Sequence, residues 1–387
     1  MPGRLGVASG TPLQVTTRIA PLATMVVSDG DRTLLLRHTP GEDAVSFVEE
    51  IDERSLEPVR RSPDLAGGPT WPGGLAVAGD GAVHVVFGNH AHRLDADLRP
   101  VASRELPRRA PYNSFVHLAD GHLVTKDFGG SRPGLAVAAE DRRPCELLVL
   151  EPVHLRVVAS LELPEASIAR LSADGDTVYV VGETNLLRVH WDGVGLRLDE
   201  DFRVRYRTGE GQGYGWDCVL ATGQAWFLDD GEGSEGFAGT LRGVGRATAP
   251  LSLQRVDLAT GERASAEICG MPAGIVANPP VVDEVRRIAV GYDSGNGVLA
   301  AFDSETLSPR WRRQQDHGSH LLLYEDSGEL VTGDGTDVVV LDITSGDELA
   351  RVDGGLGMQS VLFPAPGRGR DFFVCAFTGV SRISADA

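Results

Sequence analysis

The 387-residue chain is poor in lysine, cysteine and aromatic residues. Of its 36 basic residues, counted as Lys plus Arg, only Lys126 is a lysine. Its four cysteines, Cys145, Cys218, Cys269 and Cys375, include no C-x-x-C pair, so the spacing of a zinc site is absent. Scattered thiols of this kind are typical of buried side chains in a reducing compartment.

The chain also lacks any apolar run close to the roughly 20 residues that a membrane helix needs. Its N-terminal residues lack the apolar segment of a secretory signal, so we expect a cytoplasmic protein. The net charge is -19. A field of that sign repels phosphate backbones and anionic lipid, and it predicts that neither nucleic acid nor a membrane surface is a partner.

The stretch from Ser319 to Asp353 has a clear repeat pattern. It contains four short apolar runs, LLLY, ELVT, VVVLD and ELARV, and clusters of Gly, Asp, Ser and Glu separate them. Short β-rich runs between such turn residues predict strands and hairpins. Four strands in this space form one antiparallel sheet, which is the blade of a β-propeller.

The first hairpin of this unit recurs along the chain, about every 48 residues if the 387 residues hold eight copies. The pattern predicts an all-β fold in which residues 1–387 form a single β-propeller of eight four-stranded antiparallel blades. Seven blades is the alternative, if the irregular segment Ser131–Arg143 obscures the count. The copies are Met25–Leu36, Leu75–Phe87, Phe115–Thr125, Leu171–Val181, Cys218–Leu228, Pro280–Val290, Leu321–Val331 and Val361–Val374.

We name the strands of each blade A to D, from the propeller axis outward. The last copy, residues 358–385, supplies strands A to C only. The segment Leu13–Ala20 precedes the first A strand and matches no other part of the repeat. We expect it to complete the last blade, because closing the ring removes the open sheet edges of a linear array.

Three segments resemble the quinoprotein-like (PQQ-like) β-propeller repeat: GELVTGDGTDVVVLDITSGDEL, GVLAAFDSETLSPRWR and LQRVDLATGER. The resemblance implies the propeller fold. The tryptophan at the family's docking position occurs once, as Trp311. That departure, together with the missing export signal, argues against a quinone-dependent dehydrogenase, and we expect no cofactor.

In such a propeller the D–A and B–C connections share one face. These connections are longer and more polar here than the A–B turns, so we expect a small-molecule site at the mouth of the central channel on that face. The predicted catalytic residues are Lys126, His317, His320 and Asp230. The predicted substrate-binding residues are Tyr112, Asn113, Tyr214, Trp216, Trp71, Asn89, His90 and Asp334.

The most specific prediction concerns the role of Lys126. Arginine does not lose its proton in a protein, whereas a lysine that is removed from water becomes a base or an amine nucleophile. Asp127 follows it and points to the opposite side of the strand, so it is no automatic partner. The alternative is a lysine retained for a structural salt bridge.

Histidines raise the possibility of a metal. His317 and His320 fit a divalent ion together with Asp334 or Asp293, and His90 and His92 lie on one face if that segment is extended. Positions three apart on a strand point in opposite directions, which weakens the first pair. We therefore predict no bound metal.

The leading functional hypothesis is an enzyme that binds a small organic molecule and catalyses an acid–base step, as a lyase, isomerase, cyclase or lactone hydrolase does. Lys126 or a histidine is the base, and a carboxylate is its partner. One alternative is a non-catalytic protein-interaction propeller with an exposed apolar patch on its loop face. The other is a metal-dependent enzyme. The sequence leaves the oligomeric state open.

Overall fold

The computed structural model describes residues 5–8, 10, 12–70, 73–129, 143–207, 215–229, 249–272, 274, 278–316, 318, 320–357, 361–365 and 370–385. These residues form eight antiparallel sheets and contain no helix. Within them there is accordingly no helix of the length and hydrophobicity that crossing a membrane requires.

Seven of the eight blades consist of consecutive strands, and blade 1 carries a fifth strand, β6, which pairs with β4. Blade 1 contains β2 (Ala23–Asp29), β3 (Arg32–His38), β4 (Ala44–Ile51), β5 (Pro58–Arg61) and β6 (Leu65–Gly68). Blade 2 contains β7 (Gly74–Val77), β8 (Val83–Phe87), β9 (His90–Leu94) and β10 (Pro100–Glu105). Blade 3 contains β11 (Tyr112–His117), β12 (Leu123–Asp127), β13 (Glu146–Leu150) and β14 (Val157–Glu162). Blade 4 contains β15 (Ser172–Asp174), β16 (Thr177–Val181), β17 (Asn185–Trp191) and β18 (Leu196–Arg205).

The second half of the ring repeats the same order. Blade 5 contains β19 (Val219–Ala221), β20 (Gln224–Asp229), β21 (Ser252–Asp257) and β22 (Arg263–Glu267). Blade 6 contains β23 (Val281–Asp283), β24 (Ile288–Asp293), β25 (Val298–Asp303) and β26 (Pro309–Gln314). Blade 7 contains β27 (Leu322–Tyr324), β28 (Glu329–Asp334), β29 (Asp337–Asp342) and β30 (Glu348–Asp353). Blade 8 contains β31 (Val361–Pro364), β32 (Asp371–Ala376), β33 (Gly379–Ser384) and β1 (Gln14–Ile19).

The innermost strands form a closed circle. Each contacts the innermost strand of the next blade, from β2 through β7, β11, β15, β19, β23 and β27 to β31, and β31 returns to β2. All eight predicted hairpins are present, so the eight-bladed propeller is confirmed and the seven-bladed alternative is wrong. The irregular segment Ser131–Arg143 lies, except for its last residue, outside the described residues.

The N-terminal segment closes the ring, as predicted. Strand β1 pairs with β33 in a continuous antiparallel register from Gln14 opposite Ser384 to Ile19 opposite Gly379. Upstream of it, Leu5 and Val7 are buried in the core between blades 7 and 8. The carboxylate of Glu329 accepts the Gly6 N–H at 2.7 Å. The N-terminal segment therefore closes the ring at blade 8, where the first and last strands of the chain pair.

The segments that resemble the PQQ-like repeat contain C–D turns with a common hydrogen-bonding pattern. In blade 6 the Asp303 carboxylate accepts the N–H groups of Glu305 and Thr306 at 3.1 and 2.9 Å, and Leu307 then adopts a left-handed φ of 57°. Glycine occupies this left-handed position in blades 5 and 7 (Gly261 and Gly346), which is the residue that such a φ favours. Four other blades use leucine instead, at Leu56, Leu98, Leu155 and Leu307.

Among the described residues, six of the eight blade junctions are joined by a side chain that donates a hydrogen bond to a carbonyl of the next blade's C–D turn. Trp311 does so from blade 6, with its indole Nε1 2.8 Å from the Ile343 carbonyl oxygen. Elsewhere arginine or histidine takes the role, which accounts for the single docking tryptophan in the sequence. The other donors are Arg18 to Leu56, Arg60 to Ala96, His84 to Pro152, Arg188 to Leu258 and Arg255 to Ser304.

Candidate functional site

Lys126 lies at the loop-face end of β12, opposite Asn113 of β11 in the strand register. Its side chain is fully buried. The ammonium nitrogen Nζ donates to the carbonyl oxygen of Ser167 at 2.6 Å and to that of Asp127 at 3.3 Å, and it lies 5.1 Å from the Phe128 ring centroid. Burial lowers the pKa of Lys126, and the nearby Cys145, Asp127 and Asp217 only partly offset that effect.

Asp217 lies just before β19, the innermost strand of blade 5. Its carboxylate accepts the backbone N–H of Arg170 at 2.6 Å. Burial raises the pKa of Asp217, and the positive charges of Arg170 and Lys126 oppose the rise. The sequence did not single Asp217 out among the many acidic residues of the loops.

Asn113 and Ser114 of β11 bond the backbone of the connection that leads into blade 4. The Asn113 amide donates to the Ile168 carbonyl at 3.2 Å, while its side-chain oxygen is buried and has no hydrogen-bond partner among the described residues. Ser114 has a φ of 66°, at a break in the register between β11 and β12, and its hydroxyl accepts the Leu171 N–H at 3.2 Å. A non-glycine residue with that φ is uncommon.

We call Asn113, Ser114, Lys126, Arg170 and Asp217 the blade 3–5 cluster. Its members come from the inner ends of three successive blades. A lowered lysine pKa and a raised aspartate pKa favour the neutral forms of both groups. Each shift moves the pKa towards neutral pH, the direction in which an amine can accept a proton and a carboxyl can donate one.

Other carboxylates at the ends of B strands have structural partners. Asp127 accepts the Glu146 N–H at 2.7 Å and pairs with Arg108 at 3.3 Å rather than with Lys126. Asp334 in blade 7 occupies the same position, accepts the Asp316 N–H at 2.6 Å and pairs with Arg351 at 2.8 Å. These aspartates tie the incoming D–A connection to its blade. Asp229 and Asp293 repeat the arrangement, 3.8 Å from Arg207 and 3.3 Å from the Cys269 sulfur respectively.

The two described aromatic residues of the predicted site lie in the core. Tyr112 is completely buried, its hydroxyl accepts the Arg108 N–H at 3.3 Å, and burial raises its pKa. Trp216 is buried against Trp226 and Ile268. Both side chains therefore fill space between blades at the loop face.

His90 and His92 do lie on one face of β9, with their rings stacked 6.2 Å apart. Each bonds a backbone carbonyl of β6: His90 that of Gly67 and His92 that of Ala66, both at 2.6 Å. The side-chain amide of Asn89 donates a hydrogen bond to the Glu105 carboxylate at 3.4 Å. These polar residues hold the unpredicted fifth strand of blade 1 against blade 2.

The remaining predicted residues do not join the cluster. His320 is half-buried at the start of blade 7, and Asp334 belongs to the same blade, which lies opposite blade 3 in an eight-membered ring. His317, Asp230, Tyr214 and Trp71 lie outside the described residues. Within the described ranges, no group of three or more His, Cys, Asp or Glu side chains is arranged to hold a metal ion.

The exposed apolar side chains bear on the interaction alternative. Several of the most exposed lie on the outer strands of different blades rather than together on the loop face: Ile19, Val59, Val101 and Val158. Phe377 belongs to the loop face, at the B–C turn of blade 8, and is 66% exposed. Among the described residues, which leave out several loop-face connections, this distribution does not form the apolar patch that a protein-binding loop face would carry.

Comparison with known proteins supports the fold. No protein-family model and no curated protein matches the chain. Among solved structures, BamB from Moraxella catarrhalis is similar with a TM-score of 0.63 and 12% identity, over 96% of this chain and 97% of that one. The computationally designed protein Ika8 is similar with a TM-score of 0.65 and 10% identity, over 95% and 98%.

A third similar structure is the dihydro-heme d1 dehydrogenase NirN in complex with DHE. Its TM-score is 0.58 and its identity 17%, over 92% of this chain and 69% of that one. At such identities the likeness extends to the fold alone. The chain therefore has an eight-bladed propeller fold, and its fold-level resemblance to the PQQ-like repeat is confirmed.

Proposed function

We propose that the protein binds a small organic molecule at the loop-face end of the channel and catalyses an acid–base step there. Lys126 is the base and Asp217 the acid. The reaction belongs to the lyase, isomerase, cyclase or lactone-hydrolase type, and it needs no cofactor. A cytoplasmic location is part of the same proposal, and the four unpaired cysteines suit a reducing compartment.

One observation carries this proposal: the only lysine of the chain and a buried aspartate interact while their pKa values shift in opposite directions. Titratable groups whose pKa values are shifted by burial and by a specific charged partner are candidates for a functional site. The left-handed Ser114 and the unpaired oxygen of Asn113 lie beside them. Local strain and an unused acceptor also concentrate where ligands bind.

Access to the lysine requires movement. Lys126 is fully buried and its Nζ is held by the Ser167 carbonyl. A substrate that contacts the amine must displace this hydrogen bond, so binding and a local rearrangement of the blade 3–4 connection are coupled in the proposal.

The protonation state can be measured directly because the chain has a single lysine. Labelling with 13Cε-lysine yields one side-chain resonance, whatever its exposure. We expect the midpoint of its pH titration to lie below the ordinary lysine value of 10.5. The Asp217→Asn variant should lower the midpoint further, because the Asp217 carboxylate favours the ammonium form. A midpoint at or above the ordinary value removes the lysine as a base.

Function is tested with a panel of small lactones, hydroxy acids and keto acids, by thermal shift for binding and by NMR for turnover. Lys126→Met and Lys126→Arg should abolish turnover, and Asp217→Asn should lower it by roughly 10²–10⁴-fold, as loss of an acid–base group does. Asp64→Asn, on an exposed ion pair of blade 1, is the matched control. Turnover unchanged in both Lys126 variants would refute the assignment.

A further inference from the structure

A concave site lies on the face of the ring opposite to the blade 3–5 cluster, among the A–B and C–D turns of blades 2 and 3. The cavity measures about 390 Å³. Its walls include Val77, Asp80, His84, Arg93, His117 and Pro152. None of these residues belongs to the blade 3–5 cluster.

His84, which lines this cavity, has a buried acceptor without a partner in the described part of the chain. Its Nε2 lies 2.9 Å from the Pro152 carbonyl oxygen, and because a carbonyl only accepts, Nε2 carries the proton. In the neutral ring Nδ1 then keeps a lone pair. The side chain is 1% exposed, and Nδ1 has no hydrogen-bond partner among the described residues. Buried acceptors without a partner are rare in folded proteins.

A second imidazole faces the same space. His117 lies at the exposed end of β11, and its ring centroid is 6.2 Å from that of His84. The positive charge of Arg93 is balanced by Asp80, 2.6 Å away.

We propose that His84 and His117 together bind one divalent transition-metal ion, with water completing its coordination. Neutral imidazole suits zinc, copper and nickel. Because bonds from zinc to imidazole nitrogen are about 2.0–2.1 Å long, two rings on one ion have centroids on the order of 5–6 Å apart. The His84–His117 separation is close to that range, and the site differs from the His317–His320 pair that the sequence suggested.

The test uses the full chain without a histidine tag, freed of metal with a chelator and titrated with Cu²⁺ alone. Calorimetry gives the stoichiometry, and electron paramagnetic resonance counts the coordinated nitrogens. We expect one strongly bound ion with two nitrogens. His117→Ala should weaken binding roughly tenfold or more and leave one nitrogen, because even loss of a supporting residue around a metal costs 10–100-fold.

His84→Gln is the second variant, since its amide can still donate to Pro152 while the Nδ1 acceptor is lost. His190→Ala, in blade 4, is the control and should bind copper as the wild type does. If the His84→Gln variant does not fold, copper binding by the His117→Ala variant tests the proposal by itself, because His117 is exposed. Copper binding that is equal in wild type and His117→Ala, or absent in wild type, overturns the proposal.

Discussion

Trp311 of blade 6 packs directly against Gly346 of blade 7. A Cβ added to Gly346 would lie 2.8 Å from Cδ2 of the indole, and the glycine has a φ of +77°. Beside this contact the indole N–H donates to the Ile343 carbonyl. The seam between the two blades therefore depends on a glycine for both its conformation and its space.

Replacing Gly346 by alanine should destabilise the protein by roughly 2–5 kcal/mol, from left-handed strain and from the overlap with Trp311. Gly223→Ala is the matched control, because Gly223 has a φ of +71° and open space around its Cβ direction. It should cost only about 1–2 kcal/mol. Urea unfolding of both variants separates the two effects, and equal losses would mean that the indole moves aside at little cost.

Substitution by glycine should change the unfolding free energy differently at two non-glycine residues that have a left-handed φ. Leu155 is fully buried at a φ of 57°, so Leu155→Gly relieves strain but should still cost roughly 2–4 kcal/mol of lost packing. Arg287 is exposed at a φ of 55°, and its pair with Glu305 is exposed too. Arg287→Gly should change the unfolding free energy by no more than about 1 kcal/mol. A Leu155→Gly variant as stable as wild type would contradict the packing role.

We expect the buried carboxylate of Asp127 to stabilise the folded protein. Asp127→Asn removes the charge that pairs with Arg108, so it should cost roughly 3–5 kcal/mol, as breaking a buried pair does. Asp64→Asn breaks an ion pair in which both side chains are exposed, and it should cost less than about 1 kcal/mol. Thermal unfolding of both variants checks the difference, and similar small losses would argue against a structural role for Asp127.

Mild acid should destabilise the fold. Burial lowers the pKa of His38, His84 and His92, so below the ordinary value of 6.5 the unfolded chain binds protons that the folded chain does not. These groups stabilise the protein fully above pH 6.5. That contribution is lost as the pH falls from 6.5 towards the lower folded-state values.

Urea midpoints between pH 7.5 and 5 measure this loss. His92→Gln should flatten the slope, because it removes one of the buried imidazoles. His154→Gln should leave it unchanged, since the His154 side chain is 72% exposed. A pH slope that is the same in all three proteins would rule out the buried ring of His92 as a source.

Deleting residues 1–20 should open the ring. The deletion exposes the edge of β33 and empties the core position of Leu5 and Val7. We expect aggregation and loss of cooperative unfolding, because an unpaired strand edge is a template for association. A synthetic peptide of residues 5–20 should restore a monodisperse protein, whereas a scrambled peptide should not. A truncated chain with the wild-type unfolding midpoint would contradict closure by this segment.

The sequence was a good guide wherever the signal was local and repeated. Alternating apolar residues and turn signals predicted all eight hairpins, and the incomplete last repeat predicted the pairing of β1 with β33. Strand β6 was missed because Leu65–Gly68 is short and contains two glycines, so only its pairing with β4 makes it a strand.

The candidate site was less predictable. The sequence identified Lys126 because it is the one lysine, and it placed Asn113 on the correct face. It did not single out Asp217, because acidic residues are common in every loop and only tertiary packing distinguishes a buried carboxylate from a turn residue. The sequence did name Asp334 as a binding residue, but its partners Arg351 and Asp316 belong to another strand and to a connection, so its ion pair and hydrogen bond became visible only in the structure.

What the sequence by itself determined is the blade, since hairpin formation depends on alternation and turn chemistry within about 48 residues. What only the tertiary structure decided is which side chains lose contact with water, and which groups from different blades then meet. Burial depends on the neighbouring blade, so the pKa shifts of Lys126 and Asp217 and the unused Nδ1 of His84 arise only in the closed ring.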